Sequence, residues 1–358
     1  MDFHAIIPAG GAGRRLWPWS TPSHPKFLLP LGSEKSLLQT TATRLAPLAQ
    51  SLTFVTGSSH AEAVRRQIGS LNLDTPSLFV AEPAARDSMA AIGLGAALIE
   101  RDYGPSLAGS FAADHHIGGV EAFHNAVAVA RAGAEAGKLV TIGITPSGPE
   151  TGYGYIEVGE PIPEIPGLHL VNMFKEKPDA KTASAYLESG GYLWNAGMFV
   201  FRTDVLLGAL EQEAPESASA LRKLAANWES LGEPAKLAWW EKVVRAPIDT
   251  VLAEPMSERG EVVMVPAAAA IDWSDVGDWE AIYQLRHQTG EKLANLSPQT
   301  PVFQSDSPDS LVYAPGLQGV AVIGIPHAVV VESGGKLLVT TRENAQKVKA
   351  AGLAADEW

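Results

Sequence analysis

The chain has no cysteine, which excludes disulfides and thiolate metal sites. It also lacks any apolar run long enough to span a bilayer. The N-terminus enters a strand-like run at once, with no basic-then-apolar leader, so the expected location is the cytoplasm. Positive charge is scarce too: 27 Lys and Arg stand against 40 Asp and Glu, a net charge of -13. That balance argues against nonspecific binding to nucleic acid or to an anionic membrane, both of which need a positive field. An anionic small molecule must therefore be held locally. This makes the few cations beside glycine or proline informative, namely Arg14, Arg15, Lys26, Lys175 and Lys177.

The length of 358 residues, 46% of them hydrophobic, suits one large domain with a smaller appendage. Short β-like runs at 5–8, 52–56, 77–80, 109–113 and 139–145 alternate with helical stretches at 37–48, 60–71, 88–101 and 122–136. Alternation of this kind predicts an α/β fold with a mixed, mostly parallel, Rossmann-like sheet flanked by helices. Further strands are expected at 155–158, 168–175 and 198–202, and helices at 211–231 and 235–244. Residues 1–290 read as one catalytic domain. The stretch 291–308, rich in Pro, Ser, Thr and Asn, reads as a linker. Residues 309–358 read as a small β-rich C-terminal part ending in a helix at 344–351. Its apolar strands fit either self-association into a homodimer or packing onto the catalytic domain. No long repeat stands out.

The loop Gly10-Gly11-Ala12-Gly13-Arg14-Arg15 follows the first apolar run directly, and Pro25-Lys26 comes soon after. Glycines without Cβ atoms let backbone N–H groups approach phosphate oxygens. A dinucleotide fingerprint would need a third glycine where Leu16-Trp17-Pro18 stands, and no Gly-Lys-Ser/Thr of a Walker loop is present. A ligand-free glycine turn remains the plain alternative.

Asp114, at the end of Ser110-Phe111-Ala112-Ala113, is placed either to hold a cation beyond a strand end or to cap the next helix. Asp272, Asp275 and Asp278 lie in one short segment with two tryptophans, either a solvated acidic turn or a second carboxylate for the site. Two carboxylates suffice for magnesium, which keeps waters and takes phosphate oxygens. Glu82, Arg86 and Ser88 form a polar loop suited to a base edge, with small residues Ala90, Ala91 and Gly93 allowing close approach; helix capping by Asp87 or Ser88 is the alternative. Gly154, Glu176, Lys177 and Asn195 offer backbone access, a hydroxyl acceptor, a phosphate-binding cation and an amide. Each is equally compatible with a turn or core strand taken alone.

The ordered set Gly-Gly-x-Gly-x-Arg-Leu-Trp-Pro-x-Ser with Pro-Lys, Glu-Pro-x-x-Arg, Asp-His, Gly-Tyr-Gly-Tyr-Ile, Glu-Lys-Pro, Trp-Asn-x-Gly-Met-Phe and Trp-Ser-Asp-Val-Gly resembles the mannose-1-phosphate guanylyltransferases. The resemblance covers residues 5–282, and the strand-rich tail is similar to that family's C-terminal part. It implies a nucleotide-diphospho-sugar transferase fold and conversion of GTP plus mannose 1-phosphate to GDP-mannose plus diphosphate. By motif match, Gly10, Gly11, Gly13, Arg14 and Lys26 would bind the triphosphate, with Glu82, Arg86 and Ser88 completing the nucleotide side. Arg14, Lys26 and Asp114 would be catalytic. Asp114 and Asp275 would hold Mg2+, and Gly154, Glu176, Lys177 and Asn195 the sugar phosphate. Thr21 and Phe27 depart from the Arg and Gln usual in the family, and Asp87-Ser88-Met89 from an Asn-Thr-Ala type of sequence, all around the expected nucleotide pocket.

Overall fold

A computed structural model describes every residue except 12, 32–33, 288–292 and 356–358. Ala12 of the glycine-rich loop, the junction expected between catalytic domain and linker, and the last three residues lie outside the described set. By contact the chain divides into two compact units. One comprises Met1–Gly10, Thr41–Ala113 and Ile117–Trp273; the other comprises Gly11–Thr40, Asp114–His116 and Ser274–Trp358.

The first unit is built on strands β1 (Phe3–Ala9), β2 (Ser51–Gly57), β3 (Ser77–Glu82) and β4 (Leu107–Ser110). After the two-residue β5 (His116–Ile117) come β6 (Leu139–Ile144), β7 (Gly154–Pro161), β8 (His169–Lys175), β9 (Tyr192–Arg202) and β10 (Val262–Pro266). All but β5 form one nine-stranded sheet in the order β3-β2-β1-β4-β9-β6-β10-β8-β7. The sheet is mixed. Pairing is parallel from β3 through β4 and between β6 and β10, while β9 runs antiparallel to β4, β6 and β7. Strands such as Leu139–Ile144, buried along their whole length, are apolar on both faces because helices cover the sheet.

The helical stretch expected over 211–231 is two helices, Thr203–Glu213 and Pro215–Ala226. Pro215 cannot continue a helix but is suited to begin one. Gly93 lies in the buried helix Asp87–Tyr103, where a Cβ would meet Leu221 Cδ1 at 2.6 Å. Its smallness therefore serves helix packing; the expectation that it admits a base is not what this position does.

In the second unit, after the two-residue β11 (Trp273–Ser274) that straddles the boundary, the tail strands are β12 (Leu293–Asn295), β13 (Val302–Ser305), β14 (Ser310–Tyr313), β15 (Val320–Ile323), β16 (Ala328–Ser333) and β17 (Lys336–Thr341). Their pairing is a stacked coil. Val302 pairs in parallel with Val320 and Leu311 with Val329, a spacing of 18 residues in both cases. β17 closes one edge antiparallel to β16. Val312, Ala314, Val322, Ala328 and Val330 fill the inside of the coil.

The polar residues that make 295–308 read as a linker form the corners of this coil. Ser297, Ser307 and Ser310 are buried, and their hydroxyls accept the N–H groups of Ala314, Ile325 and Ala328. Each corner amide thus bonds a serine about one turn earlier. The repeat escapes the eye because it is carried by spaced aliphatics and serines. The tail ends in a 3-10 segment, Arg342–Lys347, and the helix Val348–Ala354.

Candidate functional site

The chain leaves β1 through Gly10 and enters the second unit at Gly11, and at neither would a Cβ meet anything within 4 Å. Gly11 has φ +88°, and the backbone there is open to a ligand. Gly13 is different. It takes the left-handed conformation, φ 57°, as N-cap of the 3-10 turn Arg14–Leu16. A Cβ on it would stand 2.6 Å from Lys26 Cβ and 2.9 Å from Ser20 Oγ, so this glycine makes room for the lysine stem.

Lys26, 6% exposed, opens the turn Lys26–Leu28 behind Pro25. Its Nζ donates to Asp114 Oδ2 at 2.8 Å and to the main-chain carbonyl of Asp275. Three residues distant in sequence thus share one ammonium. Burial pushes the Asp114 carboxyl up, but the Lys26 charge, His115 and the Lys26 hydrogen bond together hold it below the usual carboxylate range. Asp114 does not cap a helix; the following helix Val120–Glu135 has Gly119 at its N-cap. Asp275 Oδ1 accepts the Gly277 N–H at 3.1 Å. Between them Val276 is fully buried at φ 48°, a conformation costly for a β-branched residue and one that concentrates at functional sites.

The arginines of the loop reach the tail within the same unit. Arg14 Nη1 donates to Gly352 O at 3.4 Å and Arg15 Nη1 to Gln346 Oε1 at 3.1 Å. Gln346 Nε2 in turn donates to Asp278 Oδ2, a carboxyl that burial raises. Trp19 stacks on Tyr313 at 4.1 Å between ring centroids, and Trp279 Nε1 donates to Trp17 O. The tryptophans after the glycine loop are therefore core residues.

In the first unit a second group assembles around β9. Gly154 pairs with Asn195, and a Cβ on Gly154 would stand 2.6 Å from Glu176 Oε2. Glycine is needed there because the carboxylate lies over the strand. Glu176 Oε1 accepts Lys177 Nζ at 2.5 Å, and Lys177 sits at φ 45°. Burial lowers the Lys177 ammonium, but the Glu176 hydrogen bond and charge, together with the charges of Asp249 and Asp87, raise it above its ordinary value. Asn195, 7% exposed, accepts Thr141 Oγ1 at 2.8 Å and donates to Asp249 Oδ1 at 2.6 Å. Thr141, Asp249 and Glu254, which receives the Glu176 N–H at 3.2 Å, were not among the sequence candidates.

Glu82 ends β3, and Arg86 and Ser88 follow it, laced to a distant segment. Burial pushes Glu82 up to about 7. Arg86 Nη1 donates to Val243 O at 2.6 Å, and Ser88 Oγ accepts the Ile248 N–H at 3.0 Å. Asp87, at φ 69°, accepts the Ser88 N–H and caps nothing. Among the described residues no group of three or more His, Asp or Glu is arranged around a metal position.

Comparison with known proteins gives a consistent picture. Residues 4–292 match the family described as Nucleotidyl transferase. The xanthan biosynthesis protein XanB of Xanthomonas campestris pv. campestris is 38% identical over 351 residues, covering 97% of this chain and 72% of that one. The mannose-1-phosphate guanylyltransferase of Escherichia coli K12 is 36% identical over 359 residues, with 97% and 72% covered. A crystal structure from Thermus thermophilus, described as a mannose-1-phosphate geranyltransferase, superposes with a TM-score of 0.87 at 30% identity, covering 99% of this chain and all of that one. The open glycine loop at the end of a parallel strand, the ion pair behind it and this match over most of the chain have one explanation: the chain belongs to the nucleotidyl transferase family.

Proposed function

We propose that the protein is a mannose-1-phosphate guanylyltransferase, converting GTP and mannose 1-phosphate to GDP-mannose and diphosphate. The observation that carries this is the Lys26 ammonium bonded to both Asp114 and Asp275 beside an open glycine loop, in a chain with relatives of that name. The reaction forms a bond from a sugar-phosphate oxygen to the α-phosphorus and breaks the bond from that phosphorus to the departing diphosphate. A phosphate monoester dianion is already a nucleophile, so a direct in-line displacement needs no serine or histidine intermediate. Positioning and charge neutralisation supply the acceleration.

In this reading Gly10, Gly11 and Gly13 shape the triphosphate cradle, with Arg14 and Lys26 supplying charge. Glu82, Arg86 and Ser88 belong to the nucleotide side; Arg86 and Ser88 act there by holding the loop, since their side chains bond Val243 and Ile248. Gly154, Glu176, Lys177 and Asn195 hold the hexose phosphate. Asp114 and Asp275 suit Mg2+, because both offer hard oxygens and Asp114 is kept anionic. The ion, when bound, lowers the charge repulsion between two anionic substrates. A homodimer and a cytoplasmic location complete the reading, tested by sedimentation equilibrium and cell fractionation.

The deciding measurement is diphosphate release across the four nucleoside triphosphates and several hexose 1-phosphates, with and without magnesium. GTP with mannose 1-phosphate is expected to turn over fastest, and only with the metal. A faster pair of other substrates would reassign the base or the sugar. Trapping a covalent nucleotidyl-enzyme would rule out direct displacement.

A further inference from the structure

Asp249 begins a short π-helical segment, Asp249–Ala253, of a kind that is rare and often found at functional sites. Its side chain is buried, 9% exposed, and accepts the Asn195 amide at 2.6 Å. The Asn195 carbonyl oxygen is taken by Thr141 Oγ1 at 2.8 Å and by the Gly197 N–H at 3.2 Å. An amide whose oxygen accepts two donors and whose nitrogen serves an acceptor cannot flip without losing all three bonds. One amide hydrogen is committed to Asp249, and the geometry of the second follows from the first.

We propose that Asp249 is a positioning residue for the hexose phosphate, holding Asn195 in the one orientation that its three hydrogen bonds allow. The proposal rests on the reading of Glu176, Lys177 and Asn195 as the hexose-phosphate group. Three neighbouring elements bring charge to bear. Glu176 and Lys177, which follow β8, act on Asp249 with opposite signs; Asp87, at the start of its helix, acts on Lys177; Glu254, next after the π segment, binds the Glu176 backbone. Burial first, and the like charge of Glu176 second, push the Asp249 carboxyl up to about 7. Below that pH the acid form adds no negative charge beside Glu176. Above it, an ionised Asp249 opposes Glu176 and an incoming phosphate dianion, and competes for the Lys177 charge.

The experiment compares the full-length wild type, Asp249→Asn and Asp249→Ala between about pH 6 and about pH 9, a range that brackets the transition. KM is read for each substrate, and mannose 1-phosphate binding is read by calorimetry. For the wild type, KM for the hexose phosphate is expected to rise by about tenfold more across this range than for Asp249→Asn, which is neutral throughout and still accepts the Asn195 amide. KM for the nucleotide should stay within about twofold in both. Asp249→Ala, which releases Asn195, should bind the hexose phosphate more weakly at every pH. Equal pH slopes in wild type and Asp249→Asn would overturn the proposal, as would equal weakening by Asn and Ala at every pH. If the wild type turns over no hexose phosphate yet calorimetry gives the expected pH pattern, the assigned reaction falls and the positioning role stands. Absence of binding in the wild type overturns both.

Discussion

Asp114 keeps a negative charge where burial alone would favour its neutral form, and it does so because the Lys26 ammonium stands 2.8 Å away. Such a pair has two consequences of different size. Asp114→Asn removes the charge but keeps the shape and one acceptor for Lys26, so the loss of stability is moderate. The loss of electrostatic stabilisation during reaction is expected to be larger, about a hundredfold or more in kcat. Steady-state kinetics at saturating magnesium together with a thermal melt check this; near-normal turnover would refute the role. The pH dependence has a definite sign. A carboxyl depressed by folding stabilises above its unfolded value of about 3.9 and loses that contribution as pH falls through the lower folded value. The wild type should therefore lose stability in acid more steeply than Asp114→Asn.

Sequence made Lys26 and Asp114 legible because each stands beside a structural signal, a proline or a strand end. Asp249 had no such signal. Its partners Asn195 and Glu176 are far away in the chain, and an aspartate before an apolar run reads as an ordinary helix start. Thr141 was hidden for a related reason, since a hydroxyl in a buried strand looks like β-propensity alone.

Among the elements, β7 and β9 show how a strand pairing can set a site. Gly154 faces Asn195 across the pair, and Glu176 lies over the glycine. Gly154→Ala should leave the fold intact, because the obstructed atom is the tip of a side chain that can swing away. The displaced carboxylate should raise KM for the hexose phosphate by about tenfold, with little change for the nucleotide. Kinetics with each substrate varied in turn would reveal an equal rise for both if the strand itself had shifted. The central strands of the large sheet were readable from their apolar runs because they are buried on both faces, as in Phe3–Ala9, Ser51–Gly57 and Leu139–Ile144. The break at Pro215 and the π segment at Asp249–Ala253 depend on local backbone chemistry that periodicity averages over.

At the scale of the whole chain, the tail and the glycine loop share one core in the second unit. Leu16, Trp17, Trp19 and Leu29 pack in the same cluster as Leu311, Val329, Val331 and Leu338. Removing residues 309–358 would expose several large apolar side chains, each worth about 1.5–3 kcal/mol of burial, against a total stability of only about 5–15 kcal/mol. The truncated protein should be inactive and largely insoluble, as soluble yield and diphosphate release would establish. A soluble, active product would mean that the loop holds its shape without the tail. The sequence reading separated these segments because they lie far apart in the chain and because a buried serine corner has the composition of a linker.

The coil also constrains how this part of the chain can change length. Val302 over Val320, Leu311 over Val329 and the serine corners recur at 17 or 18 residues. Adding or deleting one residue within a strand would turn its apolar side chains to the opposite face and carry the corner hydroxyl away from its amide. Adding one complete turn would keep both in phase. Length here is therefore quantised, and natural variation in this tail is expected in whole turns, like floors added to a stairwell, with the helix that meets Arg14 carried along at its end.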